Sequence, residues 1–277
     1  MSRQFSAQVA SGPQRIVCLS TETVDTLYRL GQQDRVVGIS GFTVHPPEAR
    51  KEKPKISAYT TAKIDQILDL KPDLVLGFSD LQADLAAELA RLSVEVHVFN
   101  QRTIAGIFEA IATLGRLVNA PAETNALIAD LEKHMDEVAK AVIPGHKPRV
   151  YFEEWDDPMM CGIAWVSELI EWAGGQDVFA DKARAPSAKD RIIDKPETVV
   201  AAAPELIIGS WCGKKFRAER VSERPGFAAI PAVANHQLIE IKSADILQPG
   251  PVALTRGLDQ LASAIAGVAR TERGGSS

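Results

Sequence analysis

Two stretches of this sequence, "LKPDLVLGF" (Leu70–Phe78) and "AAPELIIGS" (Ala202–Ser210), share one pattern although they start 132 positions apart. In each, a proline stops a helix and a run of apolar residues follows as a buried strand. The flanking stretches match as well. "TVDTLYRLGQQDRVVG" pairs with "WVSELIEWAGGQDVFA", and "DLAAELARLSVEVHVF" pairs with "FAAIPAVANHQLIEI". Three matches in the same order predict that one kind of α/β lobe occurs twice in the chain.

The alternation of helix and strand indicates the fold class. Continuous apolar strands between helices are typical of a parallel sheet covered on both faces. "AETNALIADLEKHMDEVAKAV" has the spacing of one helix of about 20 residues, roughly 30 Å long. We therefore predict two similar α/β lobes with parallel-type central sheets, joined by one long helix, with a ligand cleft between the lobes. The expected divisions are an N-terminal lobe at 14–118, a bridging helix at 119–146, a C-terminal lobe at 147–270, and flexible tails at 1–13 and 271–277.

Charge and hydropathy exclude several classes of partner. The net charge of −5 leaves no basic excess to neutralise phosphates, so we expect no nucleic-acid partner. No stretch reaches 18 uninterrupted apolar residues, so we expect no membrane span. The first residues, "MSRQFSAQVASGPQ", lack the apolar core of a secretory signal, which leaves two alternatives: a cytoplasmic protein, or one whose signal was removed.

The motifs of common enzyme classes are missing from the sequence. It has no P-loop, no GxGxxG after a strand, no nucleophile elbow and no HExxH. The three cysteines are too widely spaced for a CxxC motif, and the five histidines are scattered, so we predict no metal site. A pair of Cys161 or Cys212 with His45 is the one catalytic arrangement that could be imagined. We expect a protein without catalysis.

The strand ends supply the candidate binding residues, because ligands of open α/β sheets lie at the carboxyl ends of the strands. "EEWDDPMMCG" (Glu153–Gly162) is the most unusual such stretch, with four carboxylates around one tryptophan. We expect these carboxylates to accept hydrogen bonds from a ligand; the alternative is a solvated turn rich in Asp. Aromatic side chains suit a broad and largely apolar ligand. The predicted ligand-binding residues are Glu22, Phe42, Tyr59, Phe78 and Asp80 in the first lobe, and Trp155, Met159, Met160, Trp211 and Asp245 in the second.

The repeated stretches, together with "RIVCLSTETVDTLYRLG", "VVGISGFTVHPPEAR" and "ERPGFAAIPAVANHQLIEI", resemble the helical-backbone (class III) substrate-binding proteins of ABC importers. The resemblance runs from about Arg15 to Ala266 and is greatest to the vitamin B12-binding proteins. It implies a periplasmic, monomeric protein without a cofactor, whose partners are a small-molecule ligand and an ABC permease with its ATPase. It also implies that one carboxylate on each lobe docks on the permease, by position Asp84 in the first lobe and Glu219 or Glu223 in the second.

The resemblance implies cobalamin or a related corrinoid as the ligand. A ferric siderophore or haem is the alternative, and so is a cytoplasmic small-molecule carrier or sensor that kept the fold. A cationic cluster suited to a catecholate siderophore is not obvious, although Lys214, Lys215 and Arg217 could supply one. Because the candidate residues are acidic and aromatic, we expect a neutral or cationic ligand rather than an anionic one.

Overall fold

The computed structural model of the protein describes residues 11–58 and 62–274. The chain divides into two compact units. The first unit consists of the chain up to Gln101, together with Ala105–Leu131 and Gln248–Val252. The second takes Arg102–Ile104, Glu132–Leu247 and the chain from Ala253 onward. The lobes predicted from sequence are contiguous stretches. In the structure, by contrast, the first unit includes Gln248–Val252 from late in the chain, and the second includes Arg102–Ile104 from early in the chain.

The first unit contains a five-stranded parallel sheet in the order β3-β2-β1-β4-β5. The central strand, β1, is fully buried, which agrees with its unbroken apolar run. Because every strand runs the same way, all five carboxyl ends meet at one edge of the sheet. The strands are β1 (Ile16–Cys18), β2 (Val36–Ser40), β3 (Lys55–Ser57), β4 (Leu74–Phe78) and β5 (Val96–Phe99).

The helices of the first unit follow the strands in alternation, as the sequence predicts. Buried residues of α3 and α4, Ile67 and Leu89, pack with Val17 and Val75 of the sheet. The helices are α1 (Thr21–Arg29), α2 (Pro47–Glu52), α3 (Ile64–Asp69), α4 (Ala83–Arg91) and α5 (Ile104–Leu117), with 3₁₀ turns at Gln33–Arg35 and Asp80–Gln82.

The second unit repeats the parallel arrangement and adds an antiparallel strand. Its sheet has the order β10-β9-β6-β7, and β8 pairs in parallel with the first residues of β6. Strand β7 folds back on β6, with Asp156 opposite Met159, where the sequence predicted only a proline turn. The two-lobe α/β class is therefore confirmed, with a mixed second sheet. The strands are β6 (Arg149–Asp156), β7 (Met159–Cys161), β8 (Gln176–Asp177), β9 (Leu206–Gly209) and β10 (Leu238–Glu240).

The predicted long helix is α6 (Pro121–Lys140), and the division between the units falls inside it. The remaining helices are α7 (Ala164–Trp172), α8 (Ala180–Ala183), α9 (Pro196–Ala202), α10 (Ala218–Ser222), α11 (Pro231–Ala234), α12 (Ser243–Ile246) and α13 (Leu258–Gly274), with 3₁₀ turns at Lys189–Arg191 and Phe227–Ala229 and a π turn at Ala253–Gly257. Of the predicted tails, residues 1–10 and 275–277 lie outside the described residues, while α13 extends through Gly274. Within the described ranges, no helix combines the length and the apolar character needed to cross a bilayer.

The two repeated stretches of sequence form the same local structure in both units. Each contains a residue with positive φ directly before the proline: Lys71 at 47° and Ala203 at 44°. This left-handed residue ends helix α3 or α9, and the proline after it cannot continue a helix. The strands β4 and β9 then begin two residues after the proline.

The acidic residue after each proline ties the repeat to the first strand of its unit. Asp73 accepts hydrogen bonds from the backbone N–H groups of Gln14 (2.7 Å) and Arg15 (2.8 Å). Glu205 in the second unit accepts from the backbone N–H of Arg149 (2.8 Å) and from Nε2 of His146 (2.8 Å). The repeated Pro-Asp/Glu therefore fixes where two neighbouring parallel strands start.

Candidate functional site

The carboxyl edge of the first sheet brings together four of the residues predicted to bind ligand. Phe78 ends β4 and Asp80 follows it, while Glu22 follows β1 and Phe42 follows β2. The fifth predicted residue of this lobe, Tyr59, lies outside the described residues.

Three large apolar side chains project into solvent at this edge: Phe42 is 51% exposed, Val44 42% and Leu81 56%. Phe78, by contrast, is only 5% exposed, because the last residue of a central strand points into the core. Ser79, at a φ of 66°, turns the chain after β4, and the exposed apolar position becomes Leu81. The sequence predicted Phe78, which the structure buries, while the exposed apolar side chain of this segment is Leu81. A positive φ at a serine gives no signal in sequence.

The other two predicted residues of this edge differ in exposure. Asp80 is exposed at the start of a 3₁₀ turn. Glu22 is buried inside the unit. Its burial raises the pKa of the carboxyl group to about 7, although hydrogen bonds from Ser20 and Thr21 act to lower it. As the structure stands, Glu22 is not accessible to a ligand.

The corresponding edge of the second sheet carries Trp155 near the tip of the β6–β7 hairpin. Its indole Nε1 donates to the backbone oxygen of Asp157 (2.9 Å), and the Asp157–Pro158 peptide bond between the strands is cis. Trp155 and Met160 are half-buried, so part of each side chain is available to a ligand. Met159 is buried in the core of the unit.

The carboxylates of β6 are engaged inside the protein. Glu153, with no exposed surface, binds Arg224 through both oxygens, at 2.5 and 3.0 Å. Glu154 binds Arg191 in the same bidentate way, at 2.5 and 3.0 Å. The expectation that these carboxylates accept hydrogen bonds from a ligand is therefore not supported, because each already has a guanidinium partner.

Asp156 completes this pattern with two cations. Its carboxylate contacts the Lys214 ammonium and, at 3.2 Å, the Arg220 guanidinium. Burial acts to raise the pKa of Asp156, but the hydrogen bond from Lys214 and the charges of Lys214 and Arg220 hold it below its usual range. The Lys214 Nζ also lies 4.0 Å from the centre of the Trp155 ring, so the tryptophan and the lysine form one cation–π pair.

Trp211 and Asp245 are both structural in this conformation. The Trp211 indole is buried in the core and donates to Glu153 Oε1 (3.0 Å). Asp245 is buried on α12 and binds Arg256 (3.3 Å) and Gln260 (3.1 Å) from the last helical segment. Trp211 follows the end of β9, as the sequence predicts, whereas Asp245 lies within the short helix α12. The sequence could not show that the polar atoms of these two residues serve internal contacts.

A lysine-rich groove lies beside this edge and contains Lys214 and Lys215, two of the three residues that the sequence offered as a cationic cluster. Lys214, Lys215 and Lys242 line it together with Trp211 and Ser243. The one acidic residue among its lining residues is Glu240, which pairs with Lys242 at 2.6 Å. The preference for a neutral or cationic ligand therefore loses part of its basis, since the carboxylates of β6 are paired inside the protein and lysines line the neighbouring groove.

The three residues expected to dock on a permease are all exposed. Asp84 lies in the first turn of α4, Glu219 in the first turn of α10, and Glu223 directly follows α10. Their accessibility is compatible with docking.

The thiols of the imagined Cys–His pair are poor nucleophiles in this fold. Burial raises the pKa of Cys161 to about 12, and burial also raises that of Cys212. Within the described ranges, no three His, Cys, Asp or Glu side chains come together as a possible metal-binding group.

Comparison with known proteins shows that the sequence of this chain is similar to those of binding proteins from other organisms. The chain is 26% identical over 249 residues to a "Cobalamin-binding protein" of Halobacterium salinarum, covering 87% of this chain and 66% of that protein's length. It is 24% identical over 263 residues to the "Uncharacterized ABC transporter substrate-binding lipoprotein YvrC" of Bacillus subtilis, covering 91% of this chain and 80% of the relative. The chain thus spans about two thirds of the length of the first relative.

Solved structures share the fold. The periplasmic vitamin B12-binding protein BtuF of Vibrio cholerae superposes with a TM-score of 0.73 at 22% identity, over 93% of this chain and 98% of that one. The periplasmic heme-binding protein RhuT of Roseiflexus sp. RS-1, in its apo form, superposes with a TM-score of 0.76 at 23% identity, over 92% and 100%. The family described as "Periplasmic binding protein" matches residues 16–244, which is most of the sequence. The chain therefore belongs to the periplasmic binding protein family.

Proposed function

We propose that this protein is the substrate-binding component of an ABC importer and that it binds cobalamin or a related corrinoid without catalysis. The observation that carries the proposal is the set of exposed apolar side chains at the carboxyl edge of the first sheet: Phe42, Val44 and Leu81. Large apolar side chains that are exposed along one edge of a sheet are a candidate contact surface for a ligand. A broad, largely apolar ring system such as a corrin would cover them.

The second unit supports the same ligand class through Trp155. Its partly exposed ring, held by Lys214 from one side, offers a flat surface for a planar group. The names of the Halobacterium relative and of the Vibrio structure favour a corrinoid over other flat ligands. The haem-binding relative of the same fold makes haem the alternative, and a ferric siderophore would suit the lysine-rich groove.

The importer partners and the location belong to the same proposal. The name of the Bacillus relative, an ABC transporter lipoprotein, favours a permease with its ATPase as partner and a location outside the cytoplasmic membrane. Asp84 and Glu219 or Glu223 would meet basic residues of the permease, because exposed carboxylates are free to form such pairs. We expect the free protein to be a monomer.

The test is a calorimetric titration of the protein with cyanocobalamin, repeated with two matched variants. Leu81→Ala removes an exposed apolar side chain at the carboxyl edge. Leu92→Ala removes a similarly exposed one, 47% against 56%, at the other end of α4. We expect saturable 1:1 binding that weakens by about tenfold or more in Leu81→Ala, since a buried leucine side chain contributes about 1.5–3 kcal/mol. Leu92→Ala should bind as the unmodified protein does.

A further variant, Trp155→Ala, tests the second unit in the same titration and should also weaken binding. Absence of any binding would exclude corrinoids, and haem and ferric siderophores would be titrated next. Equal affinity in Leu81→Ala and the unmodified protein would contradict the position of the site while leaving the ligand class standing.

A further inference from the structure

A small cavity lies in the first unit against the first turns of α1. Its wall includes Glu22 from α1, Gln101 just after β5, and Pro249 and Gly250 from the short segment Gln248–Val252. Thr23 and Thr26 of α1, Phe99 of β5 and apolar side chains of α5 complete the wall. This segment belongs to the first unit, although the chain on either side of it belongs to the second.

Two buried oxygen atoms at this cavity lack a hydrogen-bond donor. Glu22 is 5% exposed and Gln101 7%, and Oε1 of each has no hydrogen-bond partner within the described part of the chain. A flip of the Gln101 amide would not remove the problem, because Nε2 already donates to the backbone oxygen of Pro249 (2.9 Å) and the flip would lose that hydrogen bond. The wall of the cavity therefore contains two buried acceptors without a donor, which is costly inside a protein. The hydroxyls of Thr23 and Thr26, which also line the cavity, donate to backbone oxygens instead.

Among the described residues that line the cavity, none carries a positive charge to compensate a charge on Glu22. It is the only titratable side chain among those that line the cavity. The Cys18 thiol of β1 interacts with it electrostatically, and burial raises the pKa of that thiol to about 12, so the thiol is uncharged. Asp25, one turn further along α1, is bound to Arg29 at 3.0 Å. Hydrogen bonds from Ser20 and Thr21 act to stabilise an ionised carboxylate, but without a counter-charge they do not offset its burial, so the neutral form is favoured.

We propose that Glu22 is protonated in the folded protein and that its proton links Oε1 to Oε1 of Gln101, directly or through one water molecule, as a pH-sensitive latch on the segment Gln248–Val252. Burial raises the pKa of Glu22 to about 7, so the latch opens near neutral pH. A Cβ atom on Gly250 would lie 2.7 Å from the Cβ of Glu22, so the segment is in tight contact with this side chain. After loss of the proton, the carboxylate needs more water than this small cavity holds, and further water enters only if the segment moves away.

The proposal is tested by following the Glu22 carboxyl carbon by ¹³C NMR through a pH titration of the intact protein. The resonance is assigned by through-bond correlation from the Glu22 backbone, so no variant has to fold. We expect a midpoint more than about one unit above that of an exposed glutamate. A midpoint within one unit of that value, or below it, would show a charged side chain and overturn the proposal.

Hydrogen exchange of peptides that contain Gln248–Val252 tests the latch itself, after correction for the intrinsic effect of pH. Protection should fall across the titration of Glu22 in the unmodified protein. In Glu22→Gln it should stay constant, because the amide is uncharged at every pH and can still donate to Gln101. Asp25→Asn is the matched control on the same helix and should retain the pH dependence. Protection that changes equally in all three proteins would contradict a role for Glu22.

Discussion

A single residue, Glu153, shows how the second unit manages buried charge. Its carboxylate has no exposed surface, and it accepts hydrogen bonds from Arg224, from the Tyr151 hydroxyl (3.0 Å) and from the Trp211 indole (3.0 Å). Desolvating such a pair is costly, and only complete pairing offsets the cost. Because every contact involves an internal group, we assign Glu153 to the architecture of the edge and not to ligand binding.

We expect Arg224→Met to destabilise the protein by about 3–5 kcal/mol, because the substitution leaves Glu153 buried without a counter-charge. Urea denaturation followed by tryptophan fluorescence measures this loss. Arg184→Met is the matched control: Arg184 pairs with Asp181 at 3.3 Å on the surface, and such pairs contribute about 0–1 kcal/mol. Similar losses in the two variants would show that the buried pair has no special weight.

At this scale the sequence identifies unusual residues but not their partners. "EEWDDPMMCG" stood out by composition, and its carboxylates do lie at the edge of the sheet. Their partners Arg191 and Arg224 are 37 and 71 positions away along the chain, so only the fold brings them together. Periodicity and turn chemistry carry no information about such distant pairs.

The secondary-structure elements were predicted more fully, because each depends on neighbouring residues. The alternation of helices and strands, the long helix α6 and the repeated helix stop at Pro72 and Pro204 all follow from local patterns. The β6–β7 hairpin was missed, since three apolar residues after a proline do not reveal which strand they pair with. The left-handed residues at the two stops were also missed, as neither is a glycine.

The left-handed residue before Pro204 predicts that glycine substitutions at Ala203 and at Ala201 change the stability of the protein in opposite directions. Ala203 has a φ of 44°, which costs a residue with a Cβ atom about 1–2 kcal/mol. Ala203→Gly should therefore stabilise the protein by about 1 kcal/mol. Ala201→Gly, two residues earlier within α9, should destabilise it by about 0.5–1 kcal/mol, because glycine is a poor helix former. Urea midpoints of the two variants decide the matter: a loss of stability in both would refute the account of the helix stop.

On the scale of the whole molecule, the raised pKa of Glu22 should be visible in the pH dependence of the free energy of unfolding. Its pKa is about 7 in the folded protein against 4.5 for an ordinary glutamate, so the folded state holds more protons between these values. The contribution of Glu22 to stability should then be largest below pH 4.5, fall as the pH rises to 7, and level off, with a total loss of about 3 kcal/mol. The difference between the unmodified protein and Glu22→Gln, measured by urea denaturation at several pH values, isolates this contribution. A constant difference across that range would be incompatible with a raised pKa.

The segment Gln248–Val252 has a consequence for how such proteins can be recombined. A chimera that joined the chain up to Leu131 to the remainder of a relative would import a foreign strip of five residues into the first unit, against Glu22 and Gln101. Only a relative with a glycine at the position of Gly250 would fit there without a collision. Exchange of whole halves is thus constrained by a few residues encoded far from the crossover. A chimera keeps the packing of its first unit only if those residues fit against Glu22 and Gln101.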